Sequence, residues 1–334
     1  MIQSKALVFG VGSVGAVYLY QLQRAGCQVT AICRSNYNAV CQHGFTLNSL
    51  RFGVQTYKPD FVFRRTEDCP GDAVYDYVVV CAKALPRSRP SLADMIKPII
   101  RGRKKTAVVL AQNGIAIEEE IAQAFPENPV ISGVVYCPST QIKEGVIEYS
   151  EMLNLFELGT YPASAPESHK KTAEKFAGLM TSGGGGAKVF DDVQTARWQK
   201  LLMNAAWNPI CALTLCTDGG FLQTSQPFAQ ELVWEIMMEI VRLANKIGVP
   251  GIDEHAAAEK LAIAKRRAES GTGREMSMLQ DVRQGRRFEV EAILGNTIRL
   301  GRKWNVPMPR LETVYALSRA RYCAMFGTKD EHQM

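Results

Sequence analysis

The stretch ALVFGVGSVG, residues 6 to 15, decides the fold predicted for this chain. Its first four residues are apolar and predict a short buried strand, and a helical pattern follows over residues 16 to 25. A strand, a G-x-G-x-x-G turn and a helix in this order begin a Rossmann-type α/β domain that binds a dinucleotide. The candidate contacts to such a cofactor are Gly10, Gly12, Ser13, Val14 and Gly15, because the turn and the helix N-terminus present backbone N–H groups to a pyrophosphate.

The end of the second predicted strand, Val29–Cys33, indicates which dinucleotide is bound. An acidic residue at this point normally accepts hydrogen bonds from the adenosine ribose. Here Arg34 lies 22 residues after Gly12 and is followed by Ser35. A guanidinium and a hydroxyl suit a 2′-phosphate, so the sequence favours NADP(H) over NAD(H). The alternative is that Arg34 is an ordinary surface arginine.

Two later strands place polar side chains after their carboxyl ends. Tyr77–Cys81 is followed by Lys83, and Ala107–Ala111 is followed by Asn113. Open α/β sheets bind ligands at this edge, so the two residues together indicate a ligand site. Each could instead be a simple turn residue.

After residue 190 the pattern becomes helical. The predicted helices are Val193–Leu215, Phe228–Ile247, Glu254–Glu269, Phe288–Trp304 and Pro309–Tyr322. A four-glycine run within Ser182–Gly186 is predicted to be a flexible loop. We therefore expect an α/β protein in which a Rossmann-like NADP-binding domain, residues 1–191, precedes an all-helical substrate and catalytic domain, residues 192–334.

The first of these helices contains the sequence WQKLLMNAAWNPICAL, residues 198 to 213. Lys200, Asn204 and Asn208 are spaced four residues apart and share one stripe of the helix. Pro209 is expected to kink or end the helix just after Asn208. A lysine and two amides at a domain junction could hold and protonate an anionic carbonyl compound. Alternatively, they are the solvated face of an amphipathic helix.

Composition restricts the class of protein. The 334 residues are 46% hydrophobic and 22% charged, with a net charge of +6, which suits an anionic small ligand but is too weak and dispersed to indicate nucleic acid. No run approaches the roughly 18 apolar residues of a membrane span. Nine cysteines without a C-x-x-C pair indicate a reduced cytoplasmic protein, and four scattered histidines predict no metal site.

Several motifs together resemble the ketopantoate reductase family, the 2-dehydropantoate 2-reductases of pantothenate biosynthesis. The similar motifs, in the family's order and spacing, are Gly10–Gly15, Ala82-Lys83, Gln112-Asn113-Gly114, Trp198-Gln199-Lys200 with Asn204 and Asn208-Pro209, and Ser277-Met278-Leu279-Gln280-Asp281 with Glu289. The two C-terminal motifs are far more specific than the glycine turn, and the resemblance extends from Gly10 to about Thr313.

The resemblance implies a role for each matching residue. Lys200 is similar to the family's general acid and Glu289 to the acid of its active-site polar network. Asn204 and Asn208 are similar to its substrate-holding amides, and Ser277 to the serine that binds the substrate carboxylate. The resemblance also implies that Lys83 and Asn113 contact the cofactor beside the reacting ketone, and that Asn113 contacts the substrate. Independently, hydride delivery to a ketone leaves negative charge on oxygen, so a proton donor is needed there. Glu289 is expected to position Lys200 and to bind substrate hydroxyls.

Two of these assignments have simpler alternatives. Ser277 could be a helix N-cap that bonds to Asp281 or a nearby backbone N–H. Glu289 could be a surface residue paired with Arg286.

The sequence also departs from the family pattern at two places. Glu275-Met276 stands where the family usually has a serine beside Ser277, and Tyr136–Thr140 replaces a common histidine-glycine turn. These departures do not alter the expected hydride transfer, but they leave the identity of the substrate undetermined.

We therefore expect NADPH-dependent reduction of a small 2-keto acid, with 2-dehydropantoate first. One alternative is a divergent member of the family that reduces another ketone in a specialised pathway. The other is a non-catalytic NADP(H)-binding sensor, which would not need a proton donor. The sequence does not define the oligomeric state, and a homodimer is compatible with it.

Overall fold

The computed structural model describes residues 3–327 and contains two compact units. The first unit comprises the residues up to Ala82, Pro90–Gln112 and Glu118–Val193. The second comprises Lys83–Arg89, Asn113–Ile117 and the residues from Gln194 onward. Two short segments from the first half of the chain therefore pack with the helical second half, and they carry Lys83 and Asn113 with them.

The first unit is built on two β-sheets. Its strands are β1 (Lys5–Phe9), β2 (Gln28–Ile32), β3 (Phe45–Ser49), β4 (Gly53–Tyr57), β5 (Phe61–Phe63), β6 (Tyr77–Val80), β7 (Ala107–Ala111), β8 (Val130–Tyr136), β9 (Thr140–Lys143), β10 (Val146–Tyr149), β11 (Leu155–Thr160) and β12 (Gly186–Val189). The eight-stranded sheet has the order β12-β11-β8-β7-β6-β1-β2-β5, and all its neighbours are parallel except β8 and β11. The smaller sheet has the order β4-β3-β10-β9.

Among the described residues, this unit has five α-helices and a short 3-10 helix, Thr66–Asp68. The α-helices are α1 (Ser13–Arg24), α2 (Tyr37–His43), α3 (Leu92–Ile100), α4 (Glu119–Ala124) and α5 (Glu167–Ser182). Helix α1 packs on the sheet through fully buried side chains such as Tyr18, whose ring meets Phe156 edge to face at a centroid distance of 5.3 Å. Strand β6 is buried along its whole length, as expected for the interior of a parallel sheet.

The glycine run after α5 is a tight packing site. A Cβ on Gly183 would lie 2.1 Å from the backbone oxygen of Gln21, and Gly186 already begins β12. The prediction of a flexible loop was therefore wrong. Gly183 is needed because its backbone approaches α1 too closely for a side chain, and Gly186 because a Cβ there would lie 2.6 Å from the Asn154 carbonyl oxygen.

The second unit is helical. Its helices are α6 (Gln194–Thr214), α7 (Asp218–Thr224), α8 (Phe228–Ile247), α9 (Glu254–Glu269), α10 (Ser277–Arg283), the π-helix Glu291–Gly295, α11 (Asn296–Lys303) and α12 (Pro309–Phe326). Helix α6 lies in the apolar core, where Trp207 is 1% exposed. Pro209 does not end this helix, which continues to Thr214.

The predicted fold class is confirmed: an N-terminal Rossmann-type parallel sheet is followed by a helical C-terminal part. The short elements α2, α4, α7, α10 and β9 were missed, since four to seven residues show little periodicity. Within residues 3–327, no helix has the length and apolar character to span a membrane.

Candidate functional site

The glycine turn of the first unit has the geometry of a phosphate cradle. Gly10 has φ +82°, and a Cβ there would lie 2.5 Å from the Cβ of Ala82. A Cβ on Gly15 would lie 2.9 Å from the Gly10 carbonyl oxygen, so both glycines are required by packing. A Cβ on Gly12 would meet none of the described residues within 4 Å. The Gly12 backbone is thus open to a ligand at the N-terminus of α1, where Ser13 and Val14 begin the helix, and these residues fit a dinucleotide.

A buried amide holds this turn in place. Asn36 is 2% exposed, and its Nδ2 donates to the Val11 carbonyl oxygen at 2.8 Å. The same nitrogen donates to Gln141 Oε1 at 2.9 Å, and Gly145 N donates to the Asn36 Oδ1 at 3.1 Å. Arg34, just before this anchor, has an exposed side chain, as an arginine that binds phosphate requires.

The second unit contains a chain of polar contacts that starts at Lys200. The Lys200 Nζ donates to Asn113 Oδ1 at 3.0 Å, and the Asn113 Nδ2 donates to Glu289 Oε2 at 3.0 Å. The structure therefore brings together three residues that are far apart in sequence. The Asn113 amide links Glu289 to Lys200. Its oxygen accepts from the Lys200 ammonium, and its nitrogen donates to the Glu289 carboxylate.

Glu289 is a buried residue, with 4% of its surface exposed. Its Oε1 accepts a hydrogen bond from Ala84 N at 3.0 Å, and its Oε2 lies 3.9 Å from Lys83 Nζ. The alternative of a surface glutamate paired with Arg286 was wrong, because Arg286 pairs with Asp281 instead, at 3.2 Å.

Lys83 is held by carboxylates. Its Nζ lies 2.5 Å from Asp281 Oδ2, and its side chain is 38% exposed. Burial lowers the pKa of the Lys83 ammonium, but the negative charges of Glu289 and Asp281 outweigh this effect and raise the pKa. Lys83 therefore stays protonated. Its assignment as a cofactor contact remains a prediction.

Sequence reasoning missed Asp281 as a member of this cluster. Asp281 is 2% exposed and binds both Lys83 and Arg286. It is the last residue of the Ser277–Asp281 motif, so the motif was an available signal, but nothing in the sequence indicated that its partner would be Lys83.

Asn208 and Ser277 meet in the second unit. The Ser277 hydroxyl donates to Asn208 Oδ1 at 3.1 Å, and Met278 N donates to the same oxygen at 3.0 Å. Ser277 is the first residue of α10, after the N-cap Met276, and makes no capping bond, so the N-cap alternative was wrong. With its oxygen occupied twice, the buried Asn208 presents its Nδ2 as the group left for a ligand.

Asn204 lies one helical turn before Asn208 on α6. It is 7% exposed, and its amide has no hydrogen-bond partner among residues 3–327. An amide at this position can donate a hydrogen bond to a polar ligand and accept one from it.

A π-helix fixes the segment that carries Asn113. The Ala292 carbonyl oxygen, in the π-helix, accepts a hydrogen bond from Ile115 N at 3.1 Å, and Asn296 Nδ2 donates to Ile115 O at 2.6 Å. Gly114 has φ +94°, and a Cβ there would lie 2.4 Å from the Ala292 oxygen. π-Helices often occur at functional sites, and this one explains why glycine follows Asn113.

Gly114→Ala is expected to disturb this contact. The new methyl group must displace the backbone next to Asn113, and the alanine must adopt an unfavourable positive φ. We therefore expect the free energy of unfolding to fall by about 1–3 kcal/mol. A small shift of Asn113 should also reduce kcat roughly tenfold. Thermal unfolding and steady-state kinetics measure the two effects. Gly102→Ala, at another positive-φ glycine with open space around it, is the control, and its kcat should equal that of the parent.

The residues at which the chain departs from the family pattern lie in defined surroundings. Met276 is 6% exposed, and Glu275 pairs with Arg283 beside Ser277. Tyr136 ends β8, and the buried Cys137 follows it. A buried methionine and an ion pair thus lie next to Ser277 in the sequence.

Two family models match the chain. Residues 6–163 match the model described as "Ketopantoate reductase PanE/ApbA", and residues 192–322 match "Ketopantoate reductase PanE/ApbA C terminal". An uncharacterized protein of Saccharomyces cerevisiae is 29% identical over 340 residues, which cover 94% of this chain and 92% of that protein.

Solved structures are also similar to this chain. The crystal structure of 2-dehydropantoate 2-reductase from Methylococcus capsulatus is 30% identical, covers 96% of this chain and 98% of its own, and superposes with a TM-score of 0.82. A ternary structure of D-mandelate dehydrogenase with NADH and anilino(oxo)acetate has a TM-score of 0.80, with 96% of this chain and 99% of that one covered. At 20% identity, the latter shows the common fold alone.

Proposed function

Because the chain belongs to the ketopantoate reductase family of nicotinamide-dinucleotide oxidoreductases that act on CH–OH groups, we propose that it reduces a 2-keto acid with NADPH. The first candidate substrate is 2-dehydropantoate, which would give pantoate for pantothenate biosynthesis. In this proposal residues 1–191 bind the cofactor and residues 192–334 provide the substrate and catalytic groups.

The cofactor assignment rests on the open Gly12 backbone and on Arg34. The residues that would hold the pyrophosphate are Gly10, Gly12, Ser13, Val14 and Gly15, through backbone N–H groups at the start of α1. The exposed Arg34 guanidinium would bind the 2′-phosphate. When bound, NADPH supplies the hydride.

Lys200 is the proposed proton donor. A ketone oxygen that gains negative charge during reduction needs a donor within hydrogen-bond distance. Two lysines belong to the polar cluster, but Lys83 has a raised pKa and is bound by Asp281, so it gives up its proton reluctantly. Lys200 donates to a neutral amide oxygen, Asn113 Oδ1, at 3.0 Å, and it is the lysine that matches the family's general acid.

Side-chain amides and one hydroxyl form the proposed substrate-binding site. Asn204 and Asn208 would donate hydrogen bonds to the keto acid, and Ser277 would bind its carboxylate. Asn113 would stand between Lys200, Glu289 and the reacting ketone. Among these features, the chain of contacts from Lys200 through Asn113 to the buried Glu289 carries the proposal, since it links an ammonium and a carboxylate through one amide.

A panel of keto acids tests the proposal. We would follow NADPH and NADH consumption with 2-dehydropantoate, with smaller 2-keto acids and with bulkier aromatic ones. The proposal expects the highest kcat/KM for 2-dehydropantoate with NADPH. Activity confined to other ketones would favour a divergent member of the family, for which Met276 and the Glu275–Arg283 pair are the supporting observations.

A non-catalytic NADP(H) sensor is the second alternative. It predicts NADPH binding without consumption of the cofactor for every ketone in the panel. The oriented Lys200 favours an enzyme over a sensor, because a sensor needs no proton donor.

Arg34→Ala tests the choice of cofactor. Loss of a charge-assisted hydrogen bond to the 2′-phosphate should raise the KM for NADPH about 10- to 100-fold and leave the KM for NADH nearly unchanged. Initial rates at a saturating keto acid concentration measure both constants. If the two KM values rise equally, Arg34 does not contact the 2′-phosphate.

The proposed setting is the cytoplasm, with a homodimer as the proposed assembly. All nine cysteines are free thiols, which suits a reducing compartment. Analytical ultracentrifugation at micromolar concentration would separate a dimer from a monomer.

A further inference from the structure

Two parallel strands of the first unit end side by side at the edge that carries Arg34. In the register of β2 and β5, Ile32 lies opposite Phe63, and Cys33 N donates to the Phe63 oxygen at 3.0 Å. Arg34 follows directly after Cys33, and Arg64 follows directly after Phe63. Two arginines therefore leave adjacent strands at the same carboxyl edge.

The Arg64 guanidinium is fixed over the turn that follows Arg34. Its Cζ lies 4.3 Å from the centre of the Tyr37 ring, and an Nη donates to Asn38 Oδ1 at 2.7 Å. Tyr37 and Asn38 begin α2, just after Arg34. An arginine stacked on a ring and bonded to an amide loses less side-chain entropy when it binds a phosphate than a freely moving one.

Neither guanidinium is neutralised by a carboxylate. In the part of the chain from residue 3 to residue 327, no Asp or Glu lies within ion-pair distance of Arg34 or Arg64. The next residue, Arg65, differs, because it pairs with Asp68 at 3.3 Å. Two adjacent unpaired positive charges with fork-shaped donors favour a doubly charged anion.

We propose that Arg64 is a second guanidinium that contacts the 2′-phosphate of NADPH and determines the preference for it together with Arg34. This inference rests on the NADPH cofactor of the proposed function. It adds a residue from the neighbouring strand that the glycine motif does not indicate, and it explains why Arg64 is held by Tyr37 and Asn38 while Arg65 is held by an acid.

Ligand binding without turnover tests the role of Arg64. Isothermal titration calorimetry would measure the Kd of adenosine 2′,5′-bisphosphate and of 5′-AMP for the parent, Arg64→Ala and the matched control Arg65→Ala. We expect Arg64→Ala to weaken bisphosphate binding about tenfold while 5′-AMP binding changes less than about twofold. Arg65→Ala should leave both Kd values unchanged, since its guanidinium is engaged by Asp68.

The outcomes separate this inference from the proposed function. If the parent binds both nucleotides equally well, NADPH is not the preferred cofactor and both proposals fall. If the parent prefers the bisphosphate and Arg64→Ala keeps that preference, only the role of Arg64 is overturned. Equal weakening of both nucleotides would likewise overturn it, because it would indicate a general disturbance of the turn. Arg64→Lys, which keeps the charge but not the fork, should fall between the parent and Arg64→Ala.

Discussion

Lys200→Ala is expected to lower kcat about 1,000-fold while the Kd for NADPH stays within about twofold of the parent value. The reason is that the variant removes the proposed proton donor but none of the groups proposed to bind the cofactor. The Asn113 amide, which accepts from Lys200 at 3.0 Å, stays anchored to Glu289 by its other end. Single-turnover reduction monitored at the NADPH absorbance, together with fluorescence titration of NADPH, measures the two quantities.

Lys246→Ala is the control for this experiment. Lys246 is an exposed lysine in the last turn of α8, away from the polar cluster, so its removal should leave kcat unchanged. A Lys200→Ala protein that turns over as fast as the parent would remove Lys200 from the mechanism. A parallel rise in the Kd for NADPH would instead indicate that Lys200 binds the cofactor.

Glu289→Gln is expected to lower kcat about 100-fold, because a catalytic group displaced by about 1 Å costs that much in rate. The carboxylate orients Asn113 and lies beside Lys83, and it accepts a hydrogen bond from Ala84 N. Glutamine keeps one acceptor oxygen, but its NH₂ then faces a donor in either orientation, either Ala84 N or the Asn113 Nδ2 and the Lys83 ammonium. We therefore also expect a loss of about 1–3 kcal/mol in the free energy of unfolding. Steady-state kinetics and urea unfolding measure the effects.

Glu291→Gln separates stability from function. Glu291 is also buried and lies two residues further along, where it binds Arg299 at 2.8 Å and the Tyr315 hydroxyl at 2.6 Å. Its replacement should reduce stability by a similar amount and leave kcat nearly unchanged. If both glutamine variants lose activity in proportion to their loss of stability, Glu289 has only a structural role.

The sequence predicted the fold well where neighbouring residues of one motif define the local backbone conformation. Gly10 has a positive φ, Gly12 leaves the backbone open and Gly15 packs on the Gly10 carbonyl oxygen, so the spacing of the motif indicated the strand, the turn and the helix. The long helices α8 and α9 were predicted with the bounds that the structure shows, because a sustained apolar periodicity marks their length.

Local patterns failed where a distant neighbour decided the outcome. The glycine run near residue 184 resembled a flexible loop, but Gly183 lies against the backbone of α1 and Gly186 against the Asn154 carbonyl oxygen, so packing requires both glycines. Pro209 indicated a kink or an end of the helix, and burial of α6 keeps the helix continuous to Thr214. Packing energy outweighs local propensity in both cases.

The sequence by itself determined the identity of the polar residues and their four-residue spacing on α6, since a helix converts that spacing into a shared stripe without help from other segments. Only the tertiary structure decided their partners. Asn113 is 87 residues from Lys200 and 176 from Glu289, and Asp281 is 198 from Lys83. Contacts at such separations depend on how whole helices and loops pack, and no local pattern encodes them.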